Sequence, residues 1–342
     1  MVFEDFSRAW LPRIETTMRE LLDNEPPILR PMYGMMRYHL GWENQRGETE
    51  DAPKGKRLRP LLVLMTAQAA GGDPEVALPA AAAVELIHNF SLIHDDIEDR
   101  SLTRRHRPTL WAWVGEPQAI NAGDAMFVLA HLAMLRLQSN PIPPTRIIQA
   151  IHVLDDTCLR LTQGQFLDMA FEARTDVTLD EYMFMIAGKT AALIAASSML
   201  GAITAGATDI EAYRAFGHEL GLSFQIEDDI LGIWGEEALT GKSTTGDILT
   251  RKKTLPVLYA LSQTGPEAEA LRAYYTRPTP LSPDEVPAIL ELLNALDARA
   301  FAEQQGRIHA EAALTSLAAT QGDPDTLAML EDLVRKLVGR RW

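Results

Sequence analysis

The chain has 342 residues, 46% apolar and 23% charged, a composition that excludes global disorder and leaves room for one large domain or two ordinary ones. A net charge of −15 argues against a nucleic-acid partner, so an anionic ligand must be met by local basic clusters or metal ions. Cys158, the single cysteine, excludes an internal disulfide and suits a reducing compartment.

The opening MVFEDFSRAW has neither the basic flank nor the apolar stretch of a signal peptide, so a cytoplasmic location is expected. From there the pattern is helical. Apolar residues recur at three- and four-residue spacing over 3–22, 58–70, 74–99, 119–138, 145–171, 179–205, 209–234, 255–262, 283–296 and 323–338. Alternating strand-like runs are nearly absent, and turn residues such as Gly71-Gly72-Asp73-Pro74 and Pro143-Pro144 fall in the gaps. No Gly-, Ser- or Pro-rich linker interrupts the series, which predicts a single all-α domain over 1–342. The uncharged run TAALIAASSMLGAITAGAT (190–208) is long enough to cross a bilayer. Its small residues make it weakly apolar, so a packed core helix is expected and no membrane span.

The first basic cluster is GKRLRP at 55–60, where Lys56 and Arg59 can meet an anion and Gly55 permits close backbone approach. Arg57, like Arg107 and Lys253, reads as a solvated charge. Next comes SLIHDDIEDRSLTRRHRP (91–108), in which carboxylates precede arginines instead of mixing with them. On a helix Asp95 and Asp99 project from one face, one turn apart, with Asp96 about 100° round the axis. Carboxylates ending an apolar helix are costly unless paired. Mg²⁺ relieves that cost, since it takes oxygen ligands, often one or two carboxylates plus substrate phosphates. An exposed acidic helix end is the plain alternative for one such motif alone.

A second pair, Asp228-Asp229 in QIEDDILG (225–232), also follows an apolar run. Two such clusters fit a multi-magnesium site for a polyphosphate. Gly232 stands where an acid would complete the second motif, so Asp228 is expected to coordinate the metal, with Asp229 and Asp96 in an outer shell. Arg104 and Arg105 follow the first acidic helix and can fork onto phosphate oxygens. Lys189 heads the uncharged helix, while Lys242 and Lys252 follow Asp228. His88 lies two turns before Asp95 on the same face, which favours a phosphate contact over an ordinary core histidine. No nucleophile with an activating partner stands out, Cys158 included.

Taken together, GKRLRP, ELIHNFSLIHDDIEDRSLTRRHRPT, the Gly123-Asp124 pair, TQGQFLDM, GKTAALI, FQIEDDILG and TGKSTTGDILTRKKT resemble, in order, the motifs of the trans-isoprenyl diphosphate synthases, the polyprenyl synthetase family. The resemblance implies the isoprenoid synthase type I fold, antiparallel helices around a central cavity, and a homodimer. It further implies head-to-tail prenyl transfer from an allylic diphosphate (dimethylallyl, geranyl or farnesyl) to isopentenyl diphosphate with three Mg²⁺ ions. By that likeness Asp95, Asp99 and Asp228 hold the metals. Arg104, Lys189 and Lys242 hold the allylic diphosphate with Lys252 nearby, and Lys56, Arg59, His88 and Arg105 hold isopentenyl diphosphate. The Lys189 carbonyl, the Thr190 hydroxyl and the Gln225 amide lie near the developing cation. Two positions depart from the family pattern: His106 replaces a usual glycine, and Gly232 replaces an aspartate.

Phe90 and Ser91, one turn before Asp95, are expected to wall the cavity along which the product grows. Their combination resembles geranylgeranyl-type synthases, with farnesyl or a longer product as the alternative and ordinary core packing as the plain reading of Phe90. A terpene cyclase would need no site for isopentenyl diphosphate, and a non-catalytic partner subunit would be expected to lose its acidic motifs.

Overall fold

The computed structural model describes residues 2–23, 25–235 and 246–338. By internal packing the chain falls into two compact units, Met1–Asp156 with Ala196–Glu211 and Gln321–Met329, and Thr157–Ala195 with Ala212–Thr320 and Leu330–Trp342. Helices dominate both.

The first unit holds α1 (Phe3–Leu22), α2 (Arg30–His39), α3 (Leu58–Ala69), α4 (Leu78–Glu98), a hairpin of β1 (Thr103–Arg104) and β2 (Arg107–Pro108), α5 (Leu110–Val114), α6 (Glu116–Leu135) and the start of α7 (Pro144–Glu172). Its axis is α4. Four successive alanines, 80 to 83, favour the helix strongly, and Pro79 sits in the first turn, where its missing N–H costs nothing. Apolar residues surround α4 on every side, as in an enclosed helix. It packs on α6, α3 and α1. Each fully buried Leu or Ile, such as Leu86 and Ile87, stabilises by roughly 1.5–3 kcal/mol.

The end of α4 is sharply defined. Asp99 caps it, Arg100 turns left-handed at φ 53°, and the N–H groups of Arg100 and Ser101 return to the carbonyls of Ile97 (3.3 Å) and Asp96 (2.9 Å). That is a Schellman closure with arginine in the place glycine usually takes. It directs the chain into the hairpin, whose register pairs Thr103 with Pro108 and Arg104 with Arg107.

The second unit continues α7, then α8 (Leu179–Ile186), a π-helical turn (Ala187–Ala191), the start of α9 (Ala192–Ala205) and α10 (Ile210–Trp234). After these come α11 (Gly246–Leu249), α12 (Leu255–Ser262), α13 (Pro266–Thr276), α14 (Val286–Ala295), α15 (Ala298–Ala318) and part of α16 (Pro324–Leu337). A capping box starts α8: Thr178 and Glu181 satisfy each other's backbone N–H, and Arg174 grips Glu181 at 2.8 Å. The core includes Tyr182, Ile226, Ile230, Leu258 and Ala302, and α12 lies on α15 with Tyr259 stacked on Phe301 at 3.9 Å.

Two sequence expectations need correction here. The helix predicted over 179–205 is interrupted by the π turn, a widened segment that carries Lys189 and Thr190. Helix α15 gives no apolar periodicity in the sequence because its buried stripe is Ala298, Ala302, Gly306, Ala310, Ala313 and Leu317. Small residues at four-residue spacing pack closely while contributing little hydrophobic signal.

Three described helices, Pro74–Glu98, Glu116–Ser139 and Leu179–Ala205, are long and apolar enough by length and composition to cross a membrane. In the first and third the fold takes up most of the apolar window, 78% and 67% buried; in Glu116–Ser139 only 44% is buried. Ile120, Val128, Leu132 and Leu135 are exposed, forming one stripe along α6.

Candidate active site

At the end of α4 the two adjacent aspartates have different surroundings. Asp95 is half-buried and Asp99 exposed, one turn apart, whereas Asp96 is 2% exposed. Arg104 reaches back from β1 to Asp96, with Nε and Nη2 both 2.9 Å from Oδ1. Burial pushes the Asp96 carboxyl up to about 6, against the pull of that guanidinium. The hairpin makes this reach, turning through Arg105 (φ 51°) and His106 (φ 63°), two left-handed residues as a type I′ turn requires. His106 thus occupies a conformation that glycine adopts without steric cost.

The basic residues of the first unit come together. Gly55 (φ 73°) lets the GKRLRP loop pass against Arg105, whose Nη2 would stand 3.0 Å from any added Cβ. Arg59 Nη1 lies 3.5 Å from His88 Nε2. Burial first, then the charges of Arg59, Arg105 and Arg104, hold His88 well below the ordinary imidazole range, so its ring is neutral and can donate one N–H. On α2, His39 is pushed down to about 3 by burial and by Arg104, Arg105 and Arg107. Lys56 is exposed on the same loop. The ring of Phe90 packs on His94 (5.0 Å) and on Phe127 of α6 (5.1 Å), and Ser91 Oγ donates to the His88 carbonyl at 2.8 Å.

In the second unit Lys189 donates to Asp168 from α7. Thr190 Oγ1 donates to Gln225 Oε1 at 2.7 Å, and Gln225 Nε2 donates to Asp229 Oδ1 at 3.1 Å. Asp229, 4% exposed, also accepts from the Tyr182 hydroxyl and from the Leu255 N–H at 2.9 Å. Burial pushes Asp229 up to about 7, with these donors opposing it. Asp228 is half-buried. Lys252, exposed at its surface, would be lowered by the protein around it, but Asp168, Asp247, Asp229 and Asp228 together raise it above its usual value. Lys242 lies outside the described residues.

Oxygen donors of this kind suit a hard cation. Among the described residues no three acids, histidines or cysteines gather closely enough to hold an ion alone. Magnesium tolerates this, because it keeps waters and takes substrate phosphate oxygens alongside one or two carboxylates.

The polyprenyl synthetase profile matches residues 47–293. The chain belongs to the polyprenyl synthetase family. Among relatives of this polyprenyl synthetase, a (2E,6E)-farnesyl diphosphate synthase of Mycobacterium tuberculosis is 42% identical over 334 residues, covering 96% of this chain and 90% of that one. A geranylgeranyl diphosphate synthase of the same organism is 38% identical over 335 residues, 97% and 95% covered. The crystal structure of a polyprenyl synthetase from Streptomyces coelicolor superposes with a TM-score of 0.89 at 35% identity, covering 97% and 99% of the two chains. Family, all-α fold and enzyme class, a prenyltransferase, therefore stand as the sequence motifs implied.

Three residues set aside as solvated charges are not solvated. Arg57 is buried and left-handed (φ 46°), donates to Glu15 at 3.0 Å and lies 3.7 Å from the buried Glu85. Arg107 donates to the Tyr38 and Glu43 carbonyls (3.0 and 2.8 Å) and lies 4.0 Å over the Tyr38 ring. Lys253 is buried and donates to the Arg251 carbonyl at 3.2 Å. In each case the partner is remote in sequence or is a backbone carbonyl, neither of which charge spacing reveals.

Local spacing gives no sign of Asp168 or Tyr182 either, although Asp168 lies within the family-like string TQGQFLDM. Nor does it point to Asp247. A Cβ added to Gly232 would collide with the Asp247 carboxyl, so an acid does stand beside the position where the second motif lacks one.

Proposed function

We propose that this prenyltransferase condenses isopentenyl diphosphate with an allylic diphosphate, head to tail, acting in the cytoplasm as a single polyprenyl synthetase domain. Its product is a short all-trans prenyl diphosphate, with geranylgeranyl diphosphate as the length that Ser91 favours. Asp95, Asp99 and Asp228 are the proposed magnesium ligands. Bound magnesium supplies Lewis-acid charge to the departing diphosphate. Arg104, Lys189, Lys252 and Lys242 bind the allylic diphosphate. Lys56, Arg59, Arg105 and the neutral His88 bind isopentenyl diphosphate, His88 by donating its N–H. The allylic carbon–oxygen bond breaks, the alkene of isopentenyl diphosphate forms the new carbon–carbon bond, and the released diphosphate takes the proton. Oxygen dipoles from the Lys189 carbonyl, Thr190 and Gln225 steady the cation without capturing it.

One observation carries this reading. In both Asp-Asp pairs the second carboxylate is buried and bonded inside the protein, while the first is the more open of the two. Purified protein incubated with Mg²⁺, isopentenyl diphosphate and each allylic primer should give elongated diphosphates, identified chromatographically. A hydrocarbon or alcohol, or no turnover, would sink it. Phe90→Ala should lengthen the product if its ring ends the growth path, and an unchanged product makes it packing alone. The chain is further proposed to pair with a second copy through the α6 stripe, which sedimentation would show as a dimer.

A further inference from the structure

We propose that Tyr182 and Asp229 are positioning residues that set the direction of every hydrogen bond reaching Gln225 and Thr190. The proposal rests on the prenyltransferase reading above, which places those two groups near the cation.

An amide presents an oxygen that accepts and a nitrogen that donates, and its partners decide which end faces which way. Asp229 Oδ1 accepts from Gln225 Nε2 at 3.1 Å, and its other oxygen accepts from the Leu255 N–H at 2.9 Å and from the Tyr182 hydroxyl. Three donors converge on its two oxygens, so each oxygen is taken up as an acceptor. Turning the amide over would set the Gln225 oxygen against the Asp229 oxygen, two acceptors in a buried place. The Gln225 oxygen is therefore fixed toward Thr190, 2.7 Å away, and there it takes the hydroxyl proton.

The consequence falls on Thr190. With its proton committed to Gln225, its oxygen has only lone pairs left to offer. That is the polarity a developing carbocation needs, because a free hydroxyl could turn its proton toward the positive charge instead. Tyr182 supports the arrangement from the far end. Its ring is 1% exposed in the core, and α8, which carries it, is pinned at its start by the Thr178–Glu181 capping box and by Arg174. No member of the chain Tyr182, Asp229, Gln225, Thr190 is left to choose its own orientation.

A buried Tyr–Asp pair could instead serve stability alone, and the test must separate the two roles. In Tyr182→Phe, kcat for elongation should fall about tenfold, the scale of one hydrogen bond. KM for both diphosphates should stay within about twofold, since no substrate contact is removed. Combined with Gln225→Ala, Tyr182→Phe should cause no further loss. An unchanged kcat, a risen KM with kcat intact, or losses that multiply would overturn the proposal. The second readout needs no turnover: the Gln225 side-chain amide resonance of ¹⁵N-labelled protein, recognised by its loss in Gln225→Ala, should move or broaden in Tyr182→Phe. If it stays put, Tyr182 does not orient the amide. Should Tyr182→Phe fail to fold, Asp229→Asn, which keeps the volume, is read in the same way. Wild-type protein that elongates nothing refutes the condensation proposed above, while the resonance still decides whether the amide is held.

Discussion

The two acidic helix ends differ most in the field around them. Near the end of α4, burial holds His39 and His88 neutral and the surrounding arginines reinforce it. Near the end of α10, four carboxylates dominate and raise Lys252. The means of burying an aspartate differ accordingly. Asp96 is held by a direct ion pair with Arg104, whereas Asp229 is hydrogen-bonded only to neutral donors, Tyr182, Gln225 and the Leu255 backbone, with the Lys252 charge acting on it as well. An ion pair concentrates the compensation in one partner; a set of dipoles distributes it. Local excesses of positive and of negative charge are both present in one strongly acidic chain.

The largest expected effect treats the regions as equals. Asp95→Asn and Asp228→Asn should each lower turnover by orders of magnitude in a condensation assay, and near-normal activity in either would remove that residue from the metal site. A smaller effect separates them. Arg104→Ala should cost about 2 kcal/mol in denaturant unfolding, because Asp96 loses its counter-charge, while Tyr182→Phe should cost only about 1 kcal/mol, since two donors to Asp229 remain. Equal losses would erase the distinction between concentrated and shared compensation.

Acid should probe the first region through its histidines. Their folded pKa values lie below the unfolded value near 6.5, so the unfolded state binds the extra protons. Their contribution is present above about pH 6.5 and is lost as pH falls below it, for His39 toward about 3. His39→Gln should flatten the decline in unfolding free energy between pH 7 and pH 5; an unchanged slope would show that His39 titrates normally. The smallest effect concerns the turn. His106→Gly should stabilise by about 0.5–1 kcal/mol, by relieving the left-handed backbone, and a loss of stability would mean the imidazole makes a compensating contact.

Much of this was legible in local spacing. Asp95 and Asp99 on one helix face, the arginines after them and the second Asp-Asp pair needed only helical geometry and the order of motifs. Other features depend on where the backbone goes. Arg104 reaches Asp96 only because Arg100, Arg105 and His106 take left-handed conformations that the sequence, with no glycine there, does not announce. Asp168 meets Lys189 across 21 residues, and Arg57 meets Glu15 across 42. Helix α15 hides its buried face behind alanines. What escaped is whatever a small residue or a distant partner decides.

The collision that Asp247 would have with any side chain at 232 also constrains how this chain can change. Restoring an aspartate at 232 by itself would force two carboxyl groups into one volume. An aspartate there fits once the Asp247 side chain turns aside or is itself replaced. The two sites are therefore expected to couple, and an engineer copying the fuller motif from a relative should vary 232 and 247 together and singly.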